Sequence, residues 1–274
     1  MNGIPGIRLN DGATIPQLGL GVFKVDADDT ARVVGAALEL GYRHIDTAQM
    51  YGNEAGVGAA VRSSGIPRED IFVTSKLNNR NHRPDDARRS FEETLARLGL
   101  DHVDLFLIHW PGAGDGYVDA WRTLEAFKAD GRARSIGVSN FLVGHLEKLA
   151  AETETVPAVN QVELHPFFRN AEVKAHGEAR GIATEAWAPL AKGGRLLDEP
   201  AIAEIAAAYG RTPAQIVLRW HIESGNIVFP KSSRPERLRE NLALFDFELG
   251  RDERDRIDEL DRGETGRIGP HPGN

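Results

Sequence analysis

Short β-branched runs alternate with helix-length amphipathic segments along almost the whole chain, and few architectures accept that order. Strands are expected near 18–22, 43–46, 71–76, 103–109, 134–139, 158–162, 182–187 and 227–230. Helices are expected near 28–40, 53–63, 84–98, 117–130, 142–151, 171–180, 199–224 and 235–243. The segment 199–224 breaks at Gly210-Arg211-Thr212-Pro213, where Thr212 can cap a second helix with Pro213 at its first position. Repeated strand–helix units impose parallel strands joined by right-handed crossovers, and eight of them close a (β/α)8 TIM barrel. A doubly wound open sheet is the competing architecture. Ahead of the units, Ile7-Arg8-Leu9 and Ala13-Thr14-Ile15 flank Asn10-Asp11-Gly12, whose Asp-Gly supplies the positive φ of a tight hairpin.

No linker or sustained charge block divides the chain, so one domain is expected over residues 1–274. The run Arg251-Asp252-Glu253-Arg254-Asp255-Arg256 leads into Ile257 and Leu260, which form one apolar stripe, so it is read as a solvated helix face. With 33 Lys+Arg against 41 Asp+Glu, the net charge of −8 argues against a nucleic-acid partner. The absence of cysteine removes disulfides, thiolate metal sites and Cys nucleophiles together. No basic segment followed by an apolar one opens the chain, and nothing approaches the ~18 apolar residues of a membrane span. A cytoplasmic protein with no membrane contact is expected.

In such a barrel the chemistry sits at the C-terminal ends of the strands. Three consecutive strands end in a polar group after an apolar run: Asp46 in His44-Ile45-Asp46-Thr47, Lys76 in Thr74-Ser75-Lys76, and His109 in Leu107-Ile108-His109-Trp110. Tyr51 follows the first of them. A lysine ammonium favours a phenolate and so lowers a tyrosine toward the working range, and an aspartate keeps that lysine charged. A histidine can orient a carbonyl oxygen by a hydrogen bond. Together these groups would protonate a developing alkoxide, but they need a hydride from a cofactor.

Gly41-Tyr42-Arg43-His44-Ile45-Asp46-Thr47-Ala48, followed by Tyr51-Gly52-Asn53-Glu54, resembles the first signature of the aldo-keto reductases. The resemblance runs from Gly19-Leu20-Gly21 to Pro230-Lys231-Ser232 and is greatest to the bacterial enzymes typified by 2,5-diketo-D-gluconate reductase. It implies a barrel closed at the bottom by the hairpin, with Asp46, Tyr51, Lys76 and His109 as catalytic tetrad and Tyr51 as proton donor. It further implies that Ser139, Asn140 and Gln161 hold the nicotinamide carboxamide and that Trp187, in Ala186-Trp187-Ala188-Pro189-Leu190, stacks on the ring, with Pro189 and Leu190 beside it.

The cofactor implied is NADPH. Lys231-Ser232-Ser233-Arg234 precedes a helix that carries Arg237, and basic side chains with hydroxyls beside a helix N-terminus suit the 2′-phosphate. In similar reductases Lys231, Ser232 and Arg237 contact that phosphate, with Ser233 and Arg234 close by, while Glu240 and Asn241 contact the adenine. The substrate pocket is expected from Phe23, Gln49, Asn78, Trp110 and the segment around Arg267 to His271. Many relatives carry Trp where this chain has Asn78, which should open the pocket to oxygenated substrates. Small oxo-aldehydes, keto sugars and diketones fit this expectation, reduced by a monomer with no obligate protein partner.

Other readings fall short on the residues themselves. Gly56-Val57-Gly58 lacks the third glycine and the preceding strand of a dinucleotide fingerprint, and no GxxxxGK[ST] loop is present. His44 with Asp46, Glu163 with His165, and His109 could supply nitrogen and oxygen ligands to a divalent metal in a barrel hydrolase or isomerase. Lys76 would place positive charge beside that ion, so no metal is expected. A non-catalytic NADPH-binding regulatory barrel is the remaining alternative, against which the complete tetrad argues.

Overall fold

A computed structural model describes residues 3–273. The N-terminal hairpin pairs β1 (Gly6–Arg8) with β2 (Thr14–Pro16), and Gly12 turns between them at φ 89°. Eight short parallel strands follow: β3 (Leu20–Gly21), β4 (His44–Asp46), β5 (Phe72–Leu77), β6 (Val103–Ile108), β7 (Ala133–Ser139), β8 (Val159–Glu163), β9 (Ala183–Trp187) and β10 (Ile227–Val228). Each pairs with the next in chain order, which rules out the order reversal of a doubly wound sheet. The sheet then closes on itself. Leu18 bridges to Val228 in parallel, and the Gly21 N–H donates to the Phe229 carbonyl at 3.1 Å. A Cβ on Gly21 would lie 2.6 Å from that carbonyl oxygen, so the seam needs glycine.

The helices are α1 (Ala27–Leu40), α2 (Glu54–Ser63), α3 (Pro84–Leu98), α4 (Gly116–Ala129), α5 (Val143–Glu152), α6 (Ala171–Glu178), α7 (Pro200–Tyr209), α8 (Pro213–Glu223), α9 (Pro235–Leu242) and α10 (Arg251–Asp258). The expected break is the junction of α7 and α8. Gly210 ends α7 at φ 60°, and the Thr212 hydroxyl accepts from the Gln215 N–H at 3.3 Å to start α8. The charged run is α10, which buries Ile257 and exposes most of its charges. The small residues of α2 serve packing, since a Cβ on Gly58 would lie 1.8 Å from the Leu98 carbonyl of α3.

Most of the core lies between the sheet and the helices. A second apolar cluster fills the bottom of the barrel, where Leu9 and Ile15 of the hairpin segment pack with Phe72, Leu105, Leu107, Val159 and Ile227. Full burial of Ile15 contributes about 2 kcal/mol to holding this plug in place. The buried polar side chains His44, Asp46, Lys76, Gln161 and Glu185 lie on strands of the same barrel. Among the described residues no helix is long and apolar enough to cross a membrane.

Candidate active site

The tetrad expected from sequence comes together at one end of the barrel. Asp46 ends β4, Lys76 lies near the end of β5, and His109 directly follows β6. Tyr51 closes a short 3-10 turn, Gln49–Tyr51, after β4. That turn is anchored by Asn53, which accepts from the Thr47 hydroxyl and donates to the Val22 and Val25 carbonyls. Glu54 anchors it again, accepting from Ser75 at 2.6 Å and from Arg97 at 2.7 Å. The polar end of the signature motif thus fixes where Tyr51 stands.

Lys76 is fully buried, and its Nζ donates to Asp46 Oδ1 at 2.6 Å, to the Thr47 carbonyl at 2.9 Å and toward Tyr51 Oη at 3.5 Å. Burial works against this ammonium, but Asp46, Tyr51 and Glu185 outweigh it and hold its pKa above the ordinary value. The reverse balance applies to Tyr51. Burial pushes the phenol above its ordinary pKa, and Lys76 recovers only part of that. This corrects the expectation that lysine brings the phenol down into the working range. In the folded protein Tyr51 stays protonated through neutral pH, and Lys76 waits to stabilise the phenolate once the proton has left.

Burial, with Lys76 second, depresses His109 to about 3, so its ring is neutral. The His109 and Tyr51 rings meet edge-on at 5.7 Å. Phe23, 52% exposed and the most exposed large apolar side chain among the described residues, lies with its ring 5.0 Å from Tyr51.

The residues expected around the nicotinamide form one hydrogen-bonded network with the tetrad. Gln161 Nε2 donates to Asp46 Oδ2 at 2.9 Å. The Ser139 hydroxyl donates to the Gln161 carbonyl at 2.8 Å, and Asn140 Nδ2 donates to the His109 carbonyl at 3.0 Å. Trp187 is half-buried, and its indole N–H donates to Asn140 Oδ1 at 2.7 Å. Next to Trp187, Pro189 is buried and accepts from His221, while Leu190 is half-buried.

The expected phosphate loop follows β10. Lys231, Arg234 and Arg237 are exposed and form no ion pair among the described residues, Ser233 is half-buried, and Ser232 is buried with its hydroxyl accepting from the Arg234 N–H. Among the described residues no side chain caps the N-terminus of α9, so its first N–H groups remain available to an anion. Asn241 is buried on α9, whereas Glu240 already accepts from the Thr212 hydroxyl at 2.6 Å.

On the substrate side the structure divides the expected set. Trp110 is half-buried two residues beyond β6, and Asn78 follows β5. Gln49 is committed to the loop: its amide donates to the Ser90 carbonyl and Thr94 hydroxyl at 3.1 Å and accepts from the Asn78 N–H at 2.8 Å. The C-terminal segment reaches the site, as expected, through Gly269, where a Cβ would lie 2.4 Å from the Trp187 ring.

Two features were not legible in the sequence. Glu163, weighed only as a metal ligand, accepts from the Ile268 and Gly269 N–H groups at 2.6 and 2.8 Å and from His165 at 3.1 Å, so it tethers the C-terminal segment. Glu185 lies fully buried beside Gln161 and Asp46. Among the described residues no three His, Cys, Asp or Glu side chains are grouped as a metal site.

The arrangement can be set beside known proteins. Residues 17–262 match the profile of the Aldo/keto reductase family. An aldo-keto reductase of Mycolicibacterium smegmatis is 50% identical over 269 residues, covering 98% of this chain and 97% of that protein. The methylglyoxal reductase DkgA of Salmonella typhimurium is 47% identical over 269 residues, covering 97% and 96%. A solved mutant of Gox0644 in complex with NADPH superposes with a TM-score of 0.95 at 44% identity, covering 99% of this chain and 98% of that one.

Proposed function

Since the chain belongs to the aldo/keto reductase family, we propose that Tyr51, Lys76, Asp46 and His109 divide the work of its reaction among them. That reaction is the NADPH-dependent reduction of aldehydes and ketones to alcohols, and the chain is an enzyme. NADPH, when bound, supplies the hydride. The carbonyl oxygen takes its proton from Tyr51, and His109, as a neutral ring, directs one N–H at that oxygen. Lys76, kept charged by Asp46, stabilises the phenolate left on Tyr51. The 2.6 Å ion pair buried beneath the phenol is the observation that carries this assignment.

The residues present suit the cofactor. Lys231 and Arg237, unpaired beside the open N-terminus of α9, would hold the 2′-phosphate, with Ser232, Ser233 and Arg234 adjoining and Glu240 and Asn241 toward the adenine. Trp187 would take the face of the nicotinamide ring, while Ser139, Asn140 and Gln161 would meet its carboxamide. Gln161 Oε1 accepts no hydrogen bond among the described residues and is free for that contact.

For substrate we favour small oxygenated carbonyl compounds: oxo-aldehydes, keto sugars and diketones. Phe23 and Trp110 give the rim its apolar part, and Asn78, set by Gln49, gives it polarity where an indole would fill space. A methylglyoxal reductase among the relatives points the same way. All four tetrad residues come from one chain, so the site needs no second copy to be complete.

A panel of such carbonyls, ranked by kcat/KM with NADPH and NADH, tests the substrate class. Tyr51→Phe tests the proton donor: reduction should fall about 100-fold or more while NADPH still binds. Retained activity in that variant would overturn the assignment.

A further inference from the structure

One carboxyl group beside the tetrad has no place in the reaction. Glu185 on β9 is fully buried and faces Gln161 across the β8–β9 ladder. Gln161 Nε2 donates to Glu185 Oε2 at 2.8 Å and to Asp46 Oδ2 at 2.9 Å. An amide nitrogen has two hydrogens, so both are spent on carboxyl groups. Glu185 Oε1 has no hydrogen-bond partner among the described residues, and His44 Nε2 stands 3.8 Å from it.

The surrounding charges decide which carboxyl ionises. β4 presents Asp46 and His44, β5 presents Lys76, and the β10 residue paired with Glu185 is the apolar Ile227. Burial, with Lys76 acting in the same sense, holds His44 near 3, so it is neutral. The single ammonium lies 2.6 Å from Asp46. Two carboxylates sharing one amide and one cation would leave a buried negative charge uncompensated, so one of them keeps its proton. The group without the cation is Glu185. Burial, then the Asp46 charge, raises it to about 8.

We propose that Glu185, as a neutral carboxylic acid, is a positioning residue of the reductase site: it pins the Gln161 nitrogen inward, so that the amide oxygen is presented to the nicotinamide carboxamide, and it leaves the Asp46 charge to Lys76. The proposal rests on the cofactor reading given above. Ionising Glu185 would set a second anion beside Asp46 and disfavour the Tyr51 phenolate, and would draw the shared amide toward Glu185 at the expense of Asp46. Reduction should therefore slow as Glu185 titrates.

Glu185→Gln keeps the shape and one acceptor but cannot ionise. Wild-type kcat for reduction is expected to fall as pH rises through about 8, and this limb should vanish in Glu185→Gln with KM for NADPH near neutrality changed less than about 2-fold. Infrared spectra near neutral pH should show a protonated-carboxyl C=O band that Glu185→Gln lacks. Glu185→Leu, if its melting curve shows it folded, should bind NADPH about 10-fold more weakly in a titration without turnover. An alkaline limb unchanged in Glu185→Gln, no such infrared band, or a folded Glu185→Leu that binds NADPH like wild type would each overturn the proposal. The infrared band requires no activity. A wild-type enzyme that reduces no carbonyl with NADPH would instead count against the cofactor reading, so the two failures are distinguishable.

Discussion

The Trp187 indole N–H donates to the side-chain oxygen of Asn140 at 2.7 Å, tying the aromatic face expected to meet the nicotinamide to a residue expected to grip its carboxamide. Asn140 stands at φ 63°, a left-handed conformation that its neighbours must hold. Trp187→Phe keeps an aromatic face and deletes that donor. A lost hydrogen bond of about 1 kcal/mol should raise KM for NADPH about 5-fold, with a smaller effect on kcat. Steady-state kinetics with varied NADPH will show it; equal KM values would mean that the indole N–H orients nothing.

The cations after β10, without ion pairs among the described residues, would give a preference for NADPH its physical basis. Arg237→Ala should raise KM for NADPH about 10-fold and leave KM for NADH nearly unchanged, because only NADPH carries the 2′-phosphate. The wild-type preference should also weaken with added salt, since Lys231, Arg234 and Arg237 are exposed. A variant that loses both cofactors equally would place the phosphate elsewhere.

Gly269 lies where a Cβ would come 2.4 Å from the Trp187 ring and 2.8 Å from Glu163 Oε2. Gly269→Ala must displace either the ring or the tethered segment. We expect a stability loss of about 1–3 kcal/mol, typical of overpacking, and a fall in kcat/KM for small oxo-aldehydes. Hydrogen exchange should rise at Ile268, whose N–H donates to Glu163. Unaltered exchange and kinetics would argue against the tether.

Buried titratable groups set the pH dependence of stability. His44, His109 and His221 are each pushed, chiefly by burial, from 6.5 to about 3. Between those values the unfolded chain binds protons that the folded chain refuses, so these groups make stability rise with pH across that window. Glu185 acts oppositely: burial first, then Asp46, raise it from 4.5 to about 8, so its contribution is full below 4.5 and is lost as pH rises through 8. The urea midpoint should climb from about pH 4 to about pH 6 and then decline toward about pH 8, with the decline missing in Glu185→Gln. A flat midpoint over the lower range contradicts the burial of the three imidazoles.

Much of the protein is legible in its sequence. The βα alternation fixes a parallel sheet, because a parallel strand needs a crossover and the crossover is visible as a helix; the pairing of each strand with the next decides for the barrel. Asp46, Lys76 and His109 stand out because each polar residue ends an apolar run, and the strand ends share one face of the barrel. The basic cluster at Lys231, Arg234 and Arg237 is likewise a local pattern.

How those groups are charged and held depends on packing between distant segments. Gln161 reaches Asp46 across 115 residues, and Glu163 reaches Ile268 across 105. Periodicity describes neighbours along the chain and carries no record of such pairings. Gln49, expected to face substrate, is committed to the loop it supports, and Glu163, weighed as a ligand, holds a backbone. The sequence supplies a tyrosine beside a lysine; burial decides that the tyrosine keeps its proton. It supplies two acids; the position of one ammonium decides that Asp46 is the one to ionise. Ionisation depends on solvent exclusion and on what lies within a few ångströms, and folding alone sets both.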